Sequence, residues 1–94
     1  MRLLWTPVAL NNRRQIREYI ERDNSEAALA LDELISEKAA RLVDFPALGR
    51  RGRVAGTREL VVHRNYLLIY QVAGDTVRVL RVLHAAQQWL PREG

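Results

Sequence analysis

The second half of the chain carries three runs of alternating residues, rich in β-branched side chains, and these runs restrict the fold more than any other feature. Their sequences are TRELVVH, NYLLIYQV and TVRVLRVLH. This pattern predicts three strands. Gly74-Asp75 stands between the last two runs and predicts a two-residue hairpin turn, and Arg64-Asn65 is expected to close another. The second half is therefore expected to form an antiparallel sheet.

The first half has the period of helices. A short apolar run, RLLW at residues 2–5, predicts a first strand. Thr6 then provides a helix cap, and Pro7 suits the first helical turn because its missing N–H costs nothing there. Asp23, with Glu26 three positions on, predicts a break and a second helix start. The expected apolar face of the first helix is Val8, Asn12, Ile16, Tyr19 and Ile20.

The second predicted helix has the clearer apolar stripe. Its members recur at helical spacing and are Ala28, Leu31, Leu34, Ile35, Ala39 and Leu42. Phe45 and Pro46 end this helix, and the Gly- and Arg-rich connector ALGRRGRVAG follows, with a short extended piece expected at Arg53 and Val54. Residues 1–94 are thus expected to form a single α+β domain of order β-α-α-β-β-β, with a helical hairpin packed on a mainly antiparallel sheet.

The two predicted turns set a provisional register for the sheet. Ile69 then faces both Leu80 and Leu60. One face is aliphatic and is expected to receive the helices: Leu60, Val62, Leu67, Ile69, Leu80 and Val82. The other face is mixed: Glu59, His63, Tyr66, Tyr70 and Arg81 among Val61, Leu68, Val79 and Leu83. A slip of one residue would exchange the two faces.

Composition excludes several classes of protein. The chain has no cysteine, which rules out disulfides and thiolate metal sites. No apolar run approaches the roughly 18–20 residues of a membrane helix. The two histidines are 21 positions apart without an acidic cluster nearby, which argues against a metal, and no nucleotide-binding fingerprint or nucleophile triad is present. We expect a cytoplasmic protein that uses no cofactor and no membrane.

The charge of the chain points to an anionic partner. Its net charge is +4, and its cations are fourteen Arg and one Lys. The planar fork of Arg binds carboxylates and phosphates, so the partner is either nucleic acid or an acidic protein segment. The GRRGR run at 49–53 either binds phosphate or forms a solvated basic loop. The simpler alternative is that the arginines only solvate the surface.

Taken together, these segments resemble the RelE/ParE toxins of bacterial type II toxin–antitoxin modules. The resemblance covers nearly the whole chain and rests on WTPVA, FPALGRRGR, GTRELVVHRNYLLIYQV and VLRVLHAAQQWLP. It is closest to ParE-like and plasmid-stabilisation members. The resemblance implies the same fold, growth inhibition by the chain, and a cognate acidic antitoxin that forms a hetero-oligomer with it.

The family resemblance implies two alternative targets. ParE-like members poison DNA gyrase, whereas RelE-like members cut messenger RNA on the ribosome. RNA cleavage needs a proton acceptor, a proton donor and cations on the phosphorane. Leu67 stands where the similar nucleases place Arg, and Gln87 lies near the position of another catalytic Arg. We therefore expect a gyrase-directed toxin without an active site. The alternatives are a ribosome-dependent nuclease with an atypical residue set and an inactive, antitoxin-binding member.

His84 is the leading catalytic candidate, and the sequence favours a structural role for it. His63 is the best acid/base partner that the chain offers, but the provisional register points the two side chains to opposite faces. We expect His84 to close its strand, with a hydrogen bond near Asn65 and its ring on the edge of the core.

Six residues are candidates for partner binding: Arg53, Arg58, Arg64, Tyr66, Arg81 and Trp89. Tyr66 and Tyr70 either stack bases or are half-buried strand residues. Trp89 either contacts gyrase or antitoxin or folds back on Trp5. Arg58 is expected to serve structure or partner binding rather than chemistry.

Overall fold

A computed structural model describes residues 1–85 of the chain. Its elements are β1 (Arg2–Trp5), α1 (Pro7–Glu21), α2 (Ser25–Arg41), β2 (Arg50–Arg51), β3 (Arg58–His63), β4 (Tyr66–Ala73) and β5 (Thr76–His84). The α+β class and the predicted order of elements are confirmed, with one further short strand. That strand, β2, lies at Arg50–Arg51, so the extended piece expected at Arg53 and Val54 was placed three residues too late. Neither helix is long and apolar enough to cross a membrane.

The strands form one five-stranded sheet in the order β1-β5-β4-β3-β2. The three consecutive pairs from β2 to β5 are antiparallel. The first strand instead pairs with the last strand in parallel, which is possible because the helical hairpin carries the chain across the sheet between them. The sheet is therefore mixed but mainly antiparallel.

The start of α1 is fixed by Thr6. The Thr6 hydroxyl accepts a hydrogen bond from the Ala9 N–H at 3.1 Å, as the sequence predicted for a helix cap. The same hydroxyl donates to the Leu80 carbonyl at 3.1 Å. Ala9 is consequently buried against the sheet. The expectation that Val8 and Tyr19 belong to the inner face is wrong, since they are 47% and 69% exposed.

The second helix follows its prediction closely. Asn24 is its cap and accepts from the Ala27 N–H at 3.0 Å, one residue later than the expected break at Asp23. The predicted stripe faces the sheet, and its members Ala28, Ile35, Ala39 and Leu42 are buried. Across the hairpin, the Arg13 guanidinium pairs with the Asp32 carboxylate at 3.0 Å.

The predicted register is correct beside the last turn and wrong further along the strands. Gln71 lies opposite Arg78 as the turn requires, but the pairing then shifts by one residue, and Ile69 lies opposite Arg81 instead of Leu80. A second shift occurs in β3, where Leu60 lies opposite Leu68 instead of Ile69. Such irregularities, of the β-bulge kind, change which face a side chain occupies.

The helix-facing core therefore contains residues that were assigned to the other face. The sheet residues in the buried core are Leu60, Val62, Leu68, Tyr70, Val77, Val79 and Val82. Leu67 and Ile69 point to the second face. One cause of the shift is visible on β5, where the Asn12 side-chain oxygen accepts from the Val82 N–H at 3.1 Å beside the Thr6–Leu80 bond.

Tyr70 connects the core to the Gly- and Arg-rich connector. Its buried hydroxyl donates to the Pro46 carbonyl at 2.7 Å and accepts from the Gly49 N–H at 2.8 Å. A side chain at Gly49 has no room, since a Cβ there would lie 2.8 Å from the Tyr70 hydroxyl. The Arg58 guanidinium donates to the Gly49 carbonyl at 2.8 Å. These bonds fix where the connector enters β2.

Candidate functional site

His63, Tyr66 and His84 form one row at the turn end of the sheet. Tyr66 lies opposite His63 on one side and opposite His84 on the other. Direct cross-strand partners share a face of the sheet, so the expectation that the two histidines point to opposite faces is wrong. The reason is the register shift between β4 and β5, which places His84 opposite Tyr66 instead of Asn65. With adjacent strands about 4.8 Å apart, the histidine Cα atoms lie roughly 10 Å from each other.

His84 packs edge-on against Tyr66. Their ring centroids are 5.2 Å apart with an interplanar angle of 82°, a favourable aromatic geometry. The N–H of Ala85, the next residue, donates to the Asn65 carbonyl at 2.6 Å. The end of β5 is thus held beside the β3–β4 turn, where the sequence placed it.

Tyr66 separates two clefts between the sheet and the helices. The cleft toward α1 includes Tyr19 and Arg81, and the cleft toward α2 includes Leu34 and His63. Burial raises the pKa of the Tyr66 hydroxyl above its ordinary value, and the nearby Tyr19 hydroxyl raises it further. At neutral pH this phenol is therefore a proton donor and a poor proton acceptor.

Leu67 lies on the second face in a hydrocarbon environment. Its cross-strand partners are Val61 and Leu83. Val61 is 50% exposed, whereas Leu83 is buried. The next row on this face places Ile69 between Glu59 and Arg81. Among the described residues, neither direct cross-strand partner of Leu67 is a cation, and Arg81 lies one row away on the same face. The position where similar nucleases carry an Arg therefore has no substitute from its direct partners.

The connector presents several arginines around one buried acid. Glu59 is 5% exposed. Its carboxylate accepts from the Arg50 guanidinium at 3.2 Å and from the backbone N–H of Arg53 at 3.1 Å. The loop behind them is closed by Thr57, whose hydroxyl donates to the Val54 carbonyl at 2.6 Å. The connector is therefore held in one shape by internal bonds.

The candidate residues from the sequence do not form a single site. Arg53 and Arg58 lie at the connector end of β3, whereas Arg64 and Tyr66 lie at its turn end. The six residues of β3 separate these ends by roughly 16 Å. Half-buried Arg81 lies near the turn end, and Trp89, like Gln87, lies outside the described residues. Within residues 1–85, no cluster of three or more His, Cys, Asp or Glu side chains is placed to hold a metal ion.

Sequence reasoning missed two residues that the structure brings to these ends. Tyr19 was assigned to the core but stands exposed beside Tyr66. Arg51 was considered only as part of the GRRGR run and not as a separate candidate, although it lies directly opposite Arg58. The signal for Arg51 was the Arg-rich run that precedes β3, because such a run can pair with the strand that follows it. The run is too short to be recognised as a strand from the sequence.

Comparison with known proteins agrees with this architecture. Residues 3–89 match the family described as the ParE toxin of the type II toxin–antitoxin system parDE. The protein Y4kP of Sinorhizobium fredii, named as a toxin, is 40% identical over 89 residues, which is 94% of this chain and 92% of that protein. Toxin RelE2 of Caulobacter vibrioides is 35% identical over 85 residues, covering 90% of this chain and 96% of the relative.

Solved structures show the same fold. A chain of the chromosomal ParDE toxin–antitoxin system from P. aeruginosa superposes with a TM-score of 0.81 at 27% identity, covering 89% of this chain and 95% of that one. The DinJ–YafQ complex of E. coli contains a chain with a TM-score of 0.63 at 15% identity, covering 92% of this chain and 96% of that one. This match shows similarity of fold alone. The protein belongs to the ParE toxin family of type II toxin–antitoxin systems.

Proposed function

We propose that this chain inhibits growth in the cytoplasm by binding and poisoning DNA gyrase. The observation that carries the proposal is the surroundings of Leu67. Cleavage of RNA requires cations on the phosphorane, and the partners of Leu67 are the hydrocarbon side chains of Val61 and Leu83. The half-exposed Val61 suits a surface that acts by contact with a protein. The toxin then acts as a binding protein and needs no active site of its own.

A cognate acidic antitoxin completes the proposed module. The net charge of +4 favours an acidic partner, and the similar P. aeruginosa structure is described as a ParDE toxin–antitoxin system. The antitoxin segment folds on the toxin surface as it binds, which forms a hetero-oligomer. Such a module stabilises the plasmid or chromosomal region that encodes it, because cells that lose the antitoxin are inhibited.

One observation favours a second function, cleavage of messenger RNA on the ribosome. The row of His63, Tyr66 and His84 brings two imidazoles and a protonated phenol to one face, with Arg81 in the adjoining cleft. These groups can donate and accept protons. The row differs from the surface around Leu67, so the two functions make different predictions for substitutions.

The test compares gyrase and translation directly. Purified chain is added to gyrase supercoiling reactions, and separately to a translating extract in which message ends are mapped. The gyrase proposal expects loss of supercoiling with accumulation of cleaved DNA, and intact messages. The opposing result has three parts: supercoiling stays normal, the wild-type chain produces ribosome-phased cuts, and Tyr66→Phe abolishes these cuts. Messenger RNA would then replace gyrase as the target. The antitoxin is tested separately, by co-expression with the protein encoded beside the toxin: growth should recover and the two should co-purify.

A further inference from the structure

The short strand β2 makes one attractive and one repulsive pair with β3. Arg50 lies opposite Glu59, and these two side chains form an ion pair at 3.2 Å. Arg51 lies opposite Arg58. Like charges directly opposite each other destabilise an antiparallel pair. An anion placed between the two guanidinium groups would turn this repulsion into two attractions.

The described part of the chain supplies no such anion. Residues 50–59 contain four arginines and one glutamate, a net charge of 4 − 1 = +3. Glu59 already bonds Arg50 and the Arg53 backbone. Within residues 1–85, no carboxylate lies within 4.0 Å of the side chain of Arg51 or Arg58. The Arg58 guanidinium is nonetheless fixed in place, because its Nη1 donates to the Gly49 carbonyl.

Arg51 and Arg58 line a surface hollow of about 390 Å³, which we call the connector hollow. The loop that forms it is rigidly built. The Gly52 N–H donates to the Thr57 carbonyl at 2.8 Å. A Cβ on Gly52 would lie 2.2 Å from the Thr57 hydroxyl oxygen, so no side chain fits there. A preformed loop does not have to be ordered when a ligand binds.

We propose that the connector hollow binds a carboxylate from an acidic segment of a partner protein, held by Arg51 and Arg58. Two guanidinium forks match the geometry of a carboxylate. Beside Thr57 and two glycines, the lining also contains hydrocarbon from Val54, Ala55 and Val72. These apolar groups can contact the methylenes and apolar neighbours of an acidic side chain, which favours such a side chain over a phosphodiester. The hollow adjoins β2, the last strand of the sheet, where an extended segment has access. The identity of the partner as antitoxin rests on the proposed function.

The experiment uses the purified, ¹⁵N-labelled full chain and three probes. The first is the peptide acetyl-Val-Glu-Val-Glu-Val-amide, the second is its Gln-for-Glu counterpart, and the third is a ten-nucleotide oligothymidine. The acidic peptide should shift the backbone amides of Gly52, Gly56 and Thr57 in a saturable way. The Gln peptide should not, because the charge is what the arginines recognise.

Two matched variants sharpen the result. Arg51→Gln should weaken the acidic peptide at least tenfold, as expected for the loss of a charge-assisted bond. Without peptide, the same substitution should raise the melting temperature by about 1–5 °C, because it removes the repulsion with Arg58. Arg22→Gln removes the same charge from the exposed α1–α2 turn and should change neither quantity.

Four outcomes would overturn the proposal. The first three are no shift at the loop amides, equal binding of both peptides, and binding by Arg51→Gln within twofold of wild type. Oligothymidine that shifts the same amides at lower concentration than the acidic peptide would also overturn it, by assigning the hollow to phosphate. Neither gyrase nor antitoxin enters this titration, so its failure is distinguishable from failure of the proposed function.

Discussion

Replacement of Tyr70 by Phe tests the bond between the core and the connector. Tyr70 is fully buried, and its hydroxyl bonds both Pro46 and Gly49. Phenylalanine keeps the ring and leaves no large cavity, so the change isolates the two hydrogen bonds. The Gly49 N–H and the Pro46 carbonyl then lose their partner. An unsatisfied buried group costs about 1–3 kcal/mol, and we expect Tyr70→Phe to lower the free energy of unfolding by about 2–4 kcal/mol.

That loss is large for a chain of this size. A domain of 94 residues has a stability of about 5–14 kcal/mol at the usual value per residue. The assay is urea unfolding followed by circular dichroism. With an m-value of about 1–1.5 kcal/mol/M, the urea midpoint should fall by more than about 1 M. Amide exchange at Gly49 should also become faster, because its acceptor is gone.

Tyr19→Phe is the matched control, since it removes the same hydroxyl from a side chain that is 69% exposed. Its effect should stay within about 0.5 kcal/mol, as for most surface substitutions. If Tyr70→Phe also falls within that range, the connector can satisfy its own backbone groups. In that case Tyr70 does not fix the connector.

Three further predictions concern other parts of the fold. Arg13→Ala removes the ion pair with Asp32 and the cation stacked 4.5 Å from the Trp5 ring centroid, and should cost about 1–3 kcal/mol in urea unfolding. His84→Gln removes the edge-on ring contact, and should cost about 0.5–1.5 kcal/mol while growth arrest persists at matched soluble protein. The pKa values of Tyr66 and Tyr70 are both raised above their ordinary 10.0, so their contribution to stability is complete below pH 10 and falls as pH rises above it.

Each of these predictions has an opposing result. Arg14→Ala, on the exposed side of α1, should be nearly neutral, and an equal loss in both arginine variants would discount the ion pair. Loss of toxicity in folded His84→Gln, together with loss of message cuts, would favour the nuclease. For the tyrosines, unfolding is measured at about pH 8 and about pH 10.5. A stability that does not decline between these values would contradict the raised pKa values.

Local chemistry made part of this fold predictable. The cap at Thr6 depends on neighbours within a few residues, and the Gly74-Asp75 turn needs only the positive φ of 60° that glycine adopts readily. The sequence located both correctly. The stripe of α2 was also clear, because its apolar residues recur at helical spacing over several turns.

The faces of the sheet were predicted incorrectly because distant contacts set them. The irregular part of β5 is held by Thr6 and Asn12, which are 74 and 70 residues away from the groups that they bond. Tyr70 turns inward to reach Pro46 and Gly49, across 24 and 21 residues. A register counted outward from a turn contains none of this information. A single shifted residue then exchanged the faces of Leu68 and several neighbours.

Contacts within the fold also account for part of the excess of arginine. Several arginines are used inside the fold: Arg13 bonds Asp32, Arg50 bonds Glu59, and Arg58 bonds the Gly49 carbonyl. A lysine at position 58 has no planar fork, so it could not hold that carbonyl and present further donors in a fixed direction. Composition alone therefore overstates the charge that is available to a partner. Within residues 1–85, the Arg51 side chain is different: it is exposed and lies opposite another cation, so an anion from a partner would relieve the repulsion between the two guanidinium groups.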